Sequence, residues 1–126
     1  MKLLNDFFSI VHSEDTPDGC GYTLRLNADH AIFQAHFPGN PITPGVCIIQ
    51  IVSELLELQT RQKPELRNIA NVKFLNILSP QEHPEVQAEI RLAADENGNY
   101  KIKAALKSGD TLFAQLSIRY ADDSES

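Results

Sequence analysis

The chain has 126 residues, with 11 Lys and Arg against 17 Asp and Glu, for a formal charge of −6. That length supports one domain with a real core and leaves no room for two. The acidic balance excludes bulk binding to nucleic acid or to an anionic membrane, because both need clustered positive charge.

Asp6 interrupts the first apolar residues before they reach signal-peptide length, and no stretch approaches a membrane span; the expectation is a soluble, cytoplasmic chain. Strands are predicted over about Phe7 to His12 and Tyr22 to Leu26, with Asp15-Thr16-Pro17-Asp18-Gly19 as the turn of an opening hairpin. Cys20 and Cys47 have no metal-ligand spacing, and one of them falls within an apolar helix, so free thiols rather than a disulfide are expected. The dipole at that helix start would lower the Cys47 thiol pKa, whereas packing alone would leave it inert.

Next comes His36-Phe37-Pro38-Gly39-Asn40-Pro41-Ile42-Thr43-Pro44-Gly45-Val46. Its prolines fix φ and bias each preceding residue toward extended geometry, so the loop is stiff and can hold an imidazole in place. Thr43 reads as the N-cap and Pro44 as the first position of a helix reaching about Gln62, which stops before Pro64. Its apolar residues cover most of the circumference, and a helix of that kind must be buried. Gln50, Ser53, Glu54 and Glu57 form its one polar stripe.

Four further strands are predicted: Ile69 to Leu78, Val86 to Ala93, Tyr100 to Leu106 and Thr111 to Tyr120, with turns at Asn97-Gly98 and Ser108-Gly109-Asp110. In the last strand Leu112, Ala114, Leu116, Ile118 and Tyr120 alternate with Phe113, Gln115, Ser117 and Arg119. One buried helix and a mostly antiparallel sheet that covers it make an α+β layer arrangement over residues 1–121, followed by an acidic, disordered tail at 122–126. So apolar a helix needs more cover than one small sheet provides, and dimerisation is expected.

The run FQAHFPGNPITPGVCIIQ, with the later VKFLNILSP, resembles the hot-dog-fold β-hydroxyacyl-acyl-carrier-protein dehydratases of fatty-acid synthesis. The resemblance extends from about Tyr22 to Tyr120. It implies a long central helix wrapped by a curved, mostly antiparallel sheet, with active sites between paired protomers. It places the catalytic histidine at His36, the oxyanion-binding backbone N–H at Gly45, and substrate-binding neighbours at Phe37, Pro44 and Val46. The family's catalytic carboxylate falls on Gln50, a departure. The resemblance further implies acyl carrier protein as partner, with the substrate on its phosphopantetheine arm and no other cofactor. The assembly would be a homodimer, a higher even oligomer or a hetero-oligomer with a homologue.

Dehydrating a 3-hydroxyacyl thioester needs a base for the Cα proton, a donor for the thioester oxygen and an acid for the leaving hydroxyl. His36, with an ordinary pKa of about 6.5, and the Gly45 N–H at a helix start suit the first two. Gln50 orients water but transfers no proton. Glu54 lies on the same face one turn on, about 6 Å away in helix rise, so the family's order of carboxylate then glutamine is reversed here. Two readings of Glu54 stand: a relocated acid, or one member of a solvated stripe with Ser53, Glu57 and Arg61.

His30 and His36 fit no zinc pattern, so no metal is expected. Arg61, Lys63, Arg67 and Lys73 would form either a basic patch for the acidic carrier protein or an ordinary solvated helix end. Three functions compete. The leading one is a 3-hydroxyacyl-carrier-protein dehydratase; the others are a hot-dog acyl thioesterase, and an acyl-binding subunit impaired by the amide at position 50.

Overall fold

A computed structural model describes residues 2–35, 41–94, 97 and 99–122. The loop residues His36 to Asn40, two of the residues before Asn97, Gly98 and most of the acidic tail therefore lie outside the described residues.

Six strands form one antiparallel sheet. In chain order they are β1 (Phe8–Thr16), β2 (Gly19–Leu26), β3 (Pro64–Phe74), β4 (Glu85–Ala94), β5 (Asn99–Ser108) and β6 (Thr111–Asp122), arranged across the sheet as β1-β2-β4-β5-β6-β3. Two helices, α1 (Ala31–Ala35) and α2 (Gly45–Thr60), lie between β2 and β3. Every second residue of β2 is buried, as are Val86, Ala88 and Ile90 of β4 and Ile102, Ala104 and Leu106 of β5, and these side chains form one core with Cys47, Ile48, Ile51, Val52, Leu55 and Leu56 of α2. Each fully buried aliphatic or aromatic side chain contributes about 1.5–3 kcal/mol relative to exposure, so the helix–sheet layer is the principal source of stability.

The opening hairpin is tighter than expected, because Thr16 pairs with Gly19 and leaves Pro17-Asp18 as the loop. A Cβ at Gly19 would lie 1.8 Å from the Ile90 carbonyl oxygen, so only glycine lets β2 enter the sheet there. β1 continues through Ser13-Glu14-Asp15-Thr16, all exposed, since an edge strand needs no apolar alternation.

Four other expectations are corrected. β3 starts and ends several residues earlier than predicted. It borders only β6, so its residues stay largely exposed and Pro64 is tolerated at its start, while the apolar run 75–78 leaves the sheet as irregular chain. In β6, a register shift opposite Leu106/Lys107 turns Phe113 inward beside Ala114, breaking the predicted alternation. Helix α2 begins at Gly45, with Pro44 rather than Thr43 as its N-cap and no side-chain cap bond. Its far end closes on Arg61, left-handed at φ 57° and bonded from its N–H to the Glu57 carbonyl. The helix is not buried all round, since Val46 is 65% exposed.

Candidate functional site

Pro44 is extended, and the first helical N–H groups have no carbonyl one turn back. Cys47 and Ile48 donate to the Pro44 carbonyl at 3.0 and 3.2 Å, and the Gly45 and Val46 N–H groups lie before them at the positive end of the α2 dipole. A side chain at position 45 would collide with Phe74, whose ring atoms lie 2.8 and 3.0 Å from an ideal Cβ. Glycine is therefore a packing requirement here as well as the place where a carbonyl oxygen can approach backbone. Pro44 is half-buried and Val46 points to solvent. Thr43 is anchored by its N–H to the Leu78 carbonyl at 2.9 Å, and its buried hydroxyl has no partner. The other two predicted site residues, His36 and Phe37, lie outside the described residues; α1 runs directly up to them.

One turn into α2 the predicted pair is in contact. Gln50 Nε2 donates to Glu54 Oε2 at 2.8 Å. Glu54 is 3% exposed, which corrects the solvated-stripe reading for this residue. Its remaining partners come from the chain's first residues. The Leu3 N–H reaches Oε1 at 3.0 Å and Oε2 at 2.8 Å, and the Leu4 N–H reaches Oε1 at 2.8 Å. A carboxylate only accepts, so the amide nitrogen of Gln50 must face Glu54 and its carbonyl oxygen must face away.

Sequence reasoning missed the role of Leu3 and Leu4, because a backbone N–H carries no residue signature and the separation in sequence is about fifty positions. It also missed Phe74 over Gly45, for which the KF pair was the only pointer. Arg61, Lys63, Arg67 and Lys73 are exposed at the helix end and along β3, where Arg67 pairs with Glu65 at 3.5 Å.

Deeper along α2, Ser53 Oγ is 2.9 Å from the Tyr120 hydroxyl. Burial raises the Tyr120 pKa, and that hydrogen bond offsets part of the rise. Burial likewise pushes the Cys47 thiol up, which favours the packing reading of this cysteine. Both cysteines are free and buried. No described helix is long and apolar enough to cross a membrane.

Among solved structures, the dehydratase heterocomplex ApeI:P from Xenorhabdus doucetiae aligns at TM-score 0.65 and 23% identity, covering 89% of this chain and 96% of that one. A putative thioesterase from Lactococcus lactis aligns at TM-score 0.65 and 13% identity, over 93% and 94%. At such identities the likeness is one of fold, the hot-dog arrangement of a central helix wrapped by a curved antiparallel sheet. The 3-hydroxyacyl-acyl-carrier-protein dehydratase FabZ of Caulobacter vibrioides is 32% identical over 99 residues, 71% of this chain and 61% of the relative. The chain thus spans about three fifths of the length of that curated relative. Residues 12–115 match the family model described as ApeI-like, ApeI dehydratase. The match takes in the proline loop, the Gly45 helix start and the Gln50–Glu54 pair, and the chain belongs to the ApeI-like dehydratase family.

Proposed function

We propose that this chain is a hot-dog subunit that binds acyl thioesters on a dehydratase-type site lacking its own general acid. The thioester oxygen accepts from the Gly45 N–H, between Pro44 and Val46. His36 is the base, Phe37 shapes the entry, and Gln50 stands as a neutral amide at the family's carboxylate position. The substrate arrives on the phosphopantetheine arm of acyl carrier protein.

One observation carries this reading. The only carboxylate within a turn of Gln50 in the direction of the helix end is Glu54, and both its oxygens are taken by the Leu3, Leu4 and Gln50 donors. General acid help is worth ~10²–10⁴-fold, so elimination by this chain alone is slow while binding and proton abstraction stay intact. A homologous subunit with an acid in place would complete the pair. Exposed Leu66, Ile69 and Phe74 on the edge strand β3 supply an apolar border for it.

The second reading is a fully competent 3-hydroxyacyl-carrier-protein dehydratase, favoured by the dehydratase family match. Turnover of a 3-hydroxyacyl thioester on carrier protein separates the two. The unmodified chain is expected to bind it and to form enoyl thioester at least 10²-fold more slowly than the double variant Gln50→Glu/Glu54→Gln, which moves the acid to the family position. Equal rates would establish the second reading, and release of free acid and thiol would make the protein a thioesterase.

A further inference from the structure

We propose that residues Leu3 to Phe8 form a strap that holds the start of α2, with Gly45 and Gln50, against helix α1, with Glu54 as a positioning residue at its clasp. The proposal rests on the reading above for what the site binds, but not for the contacts themselves.

One end of the strap is held by α2. Leu3 and Leu4 give their N–H groups to the buried Glu54 carboxylate, which also holds Gln50. Leu3 is itself buried, so this end is fixed by packing as well as by polar bonds. The chain then turns sharply: Asn5 is left-handed at φ 67°, and Phe7 and Phe8 both donate back to the Leu3 carbonyl.

The other end is held by α1 and the residues before it. The Phe7 ring stacks on Phe33 at 4.6 Å and meets the His30 ring edge-on at 5.3 Å. His30 Nε2 lies 3.1 Å from Asp6 Oδ2, and Asn27 donates its side-chain amide to the Asp6 carbonyl at 3.0 Å and its N–H to Phe7 at 2.9 Å. Phe33 sits on the helix that leads straight to His36. Six residues of chain, Leu3 to Phe8, therefore join the turn carrying Gln50 to helix α1. The family match begins only at residue 12, so the Leu3 and Leu4 side of the clasp lies outside the part of the chain shared with the family model, while Glu54 lies within it.

A buried carboxylate that receives two backbone N–H groups is costly to replace, since each donor left unpaired costs about 1–3 kcal/mol. Release of the clasp is consequently felt along the strap. The experiment is hydrogen exchange on the intact chain, comparing the natural protein with Glu54→Leu, which keeps the side-chain volume. It is paired with the dissociation constant for a non-reactive acyl-pantetheine.

The expected result is at least tenfold faster exchange at Leu3 and Leu4. The same is expected at the backbone N–H groups of 31–35 and 45–50, with the β5–β6 hairpin unchanged and acyl-pantetheine bound about tenfold more weakly. Fast exchange confined to residues 3–8, with α1 and the start of α2 unmoved, would overturn the proposal and leave only a local tether. If Glu54→Leu does not fold, Phe7→Leu loosens the opposite end and is read in the same way, now expecting faster exchange at 45–50. A natural protein that fails to bind acyl-pantetheine would refute the functional reading, while the exchange pattern would still decide the strap.

Discussion

Glu54 determines which atom of Gln50 faces it. With a carboxylate behind it, the amide can only turn its nitrogen toward Glu54. Glu54→Gln reverses this. The new amide must give its oxygen to the Leu3 and Leu4 N–H groups, its nitrogen then faces Gln50, and Gln50 flips to receive it. The fold survives with a loss of about 1–2 kcal/mol, the difference between charged and neutral acceptors, read as a lower urea midpoint. If position 50 meets the 3-hydroxyl, discrimination between a 3-hydroxyacyl-pantetheine and the analogue lacking the hydroxyl changes, because the hydroxyl then accepts from an amide N–H instead of donating to a carbonyl. Unchanged discrimination between the two ligands would mean that position 50 does not meet the 3-hydroxyl. The same logic explains why Gln50→Glu alone is a poor test of the missing acid. It sets two carboxylates one turn apart on a buried face, and like charges at that spacing disfavour ionisation, whereas the exchanged pair keeps one amide and one acid.

At the scale of elements, the junction of α2 with β3 sets the space around the Gly45 backbone. Gly45→Ala brings a methyl to within 2.8 Å of the Phe74 ring, and overpacking of this kind costs about 1–3 kcal/mol. Phe74 is 52% exposed, so the ring can yield. The expected outcome is a lower denaturation midpoint for Gly45→Ala, partly restored by adding Phe74→Leu, with acyl-thioester affinity not restored because the methyl still shields the Gly45 N–H. This junction was only half legible in the amino-acid pattern. Helix α2 announced itself through its apolar residues and Pro64, and β4, β5 and β6 through alternation and hairpin turns. The strand before them was displaced, because β3 is an edge whose exposed residues obey no alternation, while the apolar run 75–78 that resembles a strand is loop. Helix α1, at five residues, is shorter than any periodicity can reveal, although His30 caps it through Nδ1 to the Ile32 N–H at 3.0 Å. Phe113 was misplaced by a bulge that composition does not encode. Of the site, Gly45 and Gln50 were placed by the resemblance to the dehydratases, and Glu54 by its spacing from Gln50 on one helix face. The clasp could not be read, because it is built from backbone donors fifty residues away.

For the whole molecule, the hydroxyls and the thiol packed around α2 set a limit on alkaline stability. Burial raises the pKa of Cys47 from its ordinary 9.0, and those of Tyr22 and Tyr120 from 10.0; for Tyr22, the nearby Cys20 adds to the rise. Tyr22 donates to the Leu55 carbonyl at 3.5 Å and Tyr120 pairs with Ser53, so both act in their protonated forms on the same helix. Where the folded-state pKa is raised, the native state keeps a proton that the unfolded chain releases once the pH passes the unfolded value. The stabilisation is therefore complete below about pH 9 and declines progressively above it, first as Cys47 and then as the tyrosines ionise in the unfolded chain. Urea midpoints measured from pH 7 to 11 are expected to be flat with respect to these groups up to about 9 and then to fall. Tyr120→Phe removes one of the three ionisations. It lowers the midpoint at pH 7 by the loss of the Ser53 hydrogen bond, about 1 kcal/mol, and makes the decline above pH 10 shallower. An equally steep decline in the Phe variant would show that Tyr120 ionises in the folded protein as readily as in the unfolded chain, and that the α2–β6 contact is open to water.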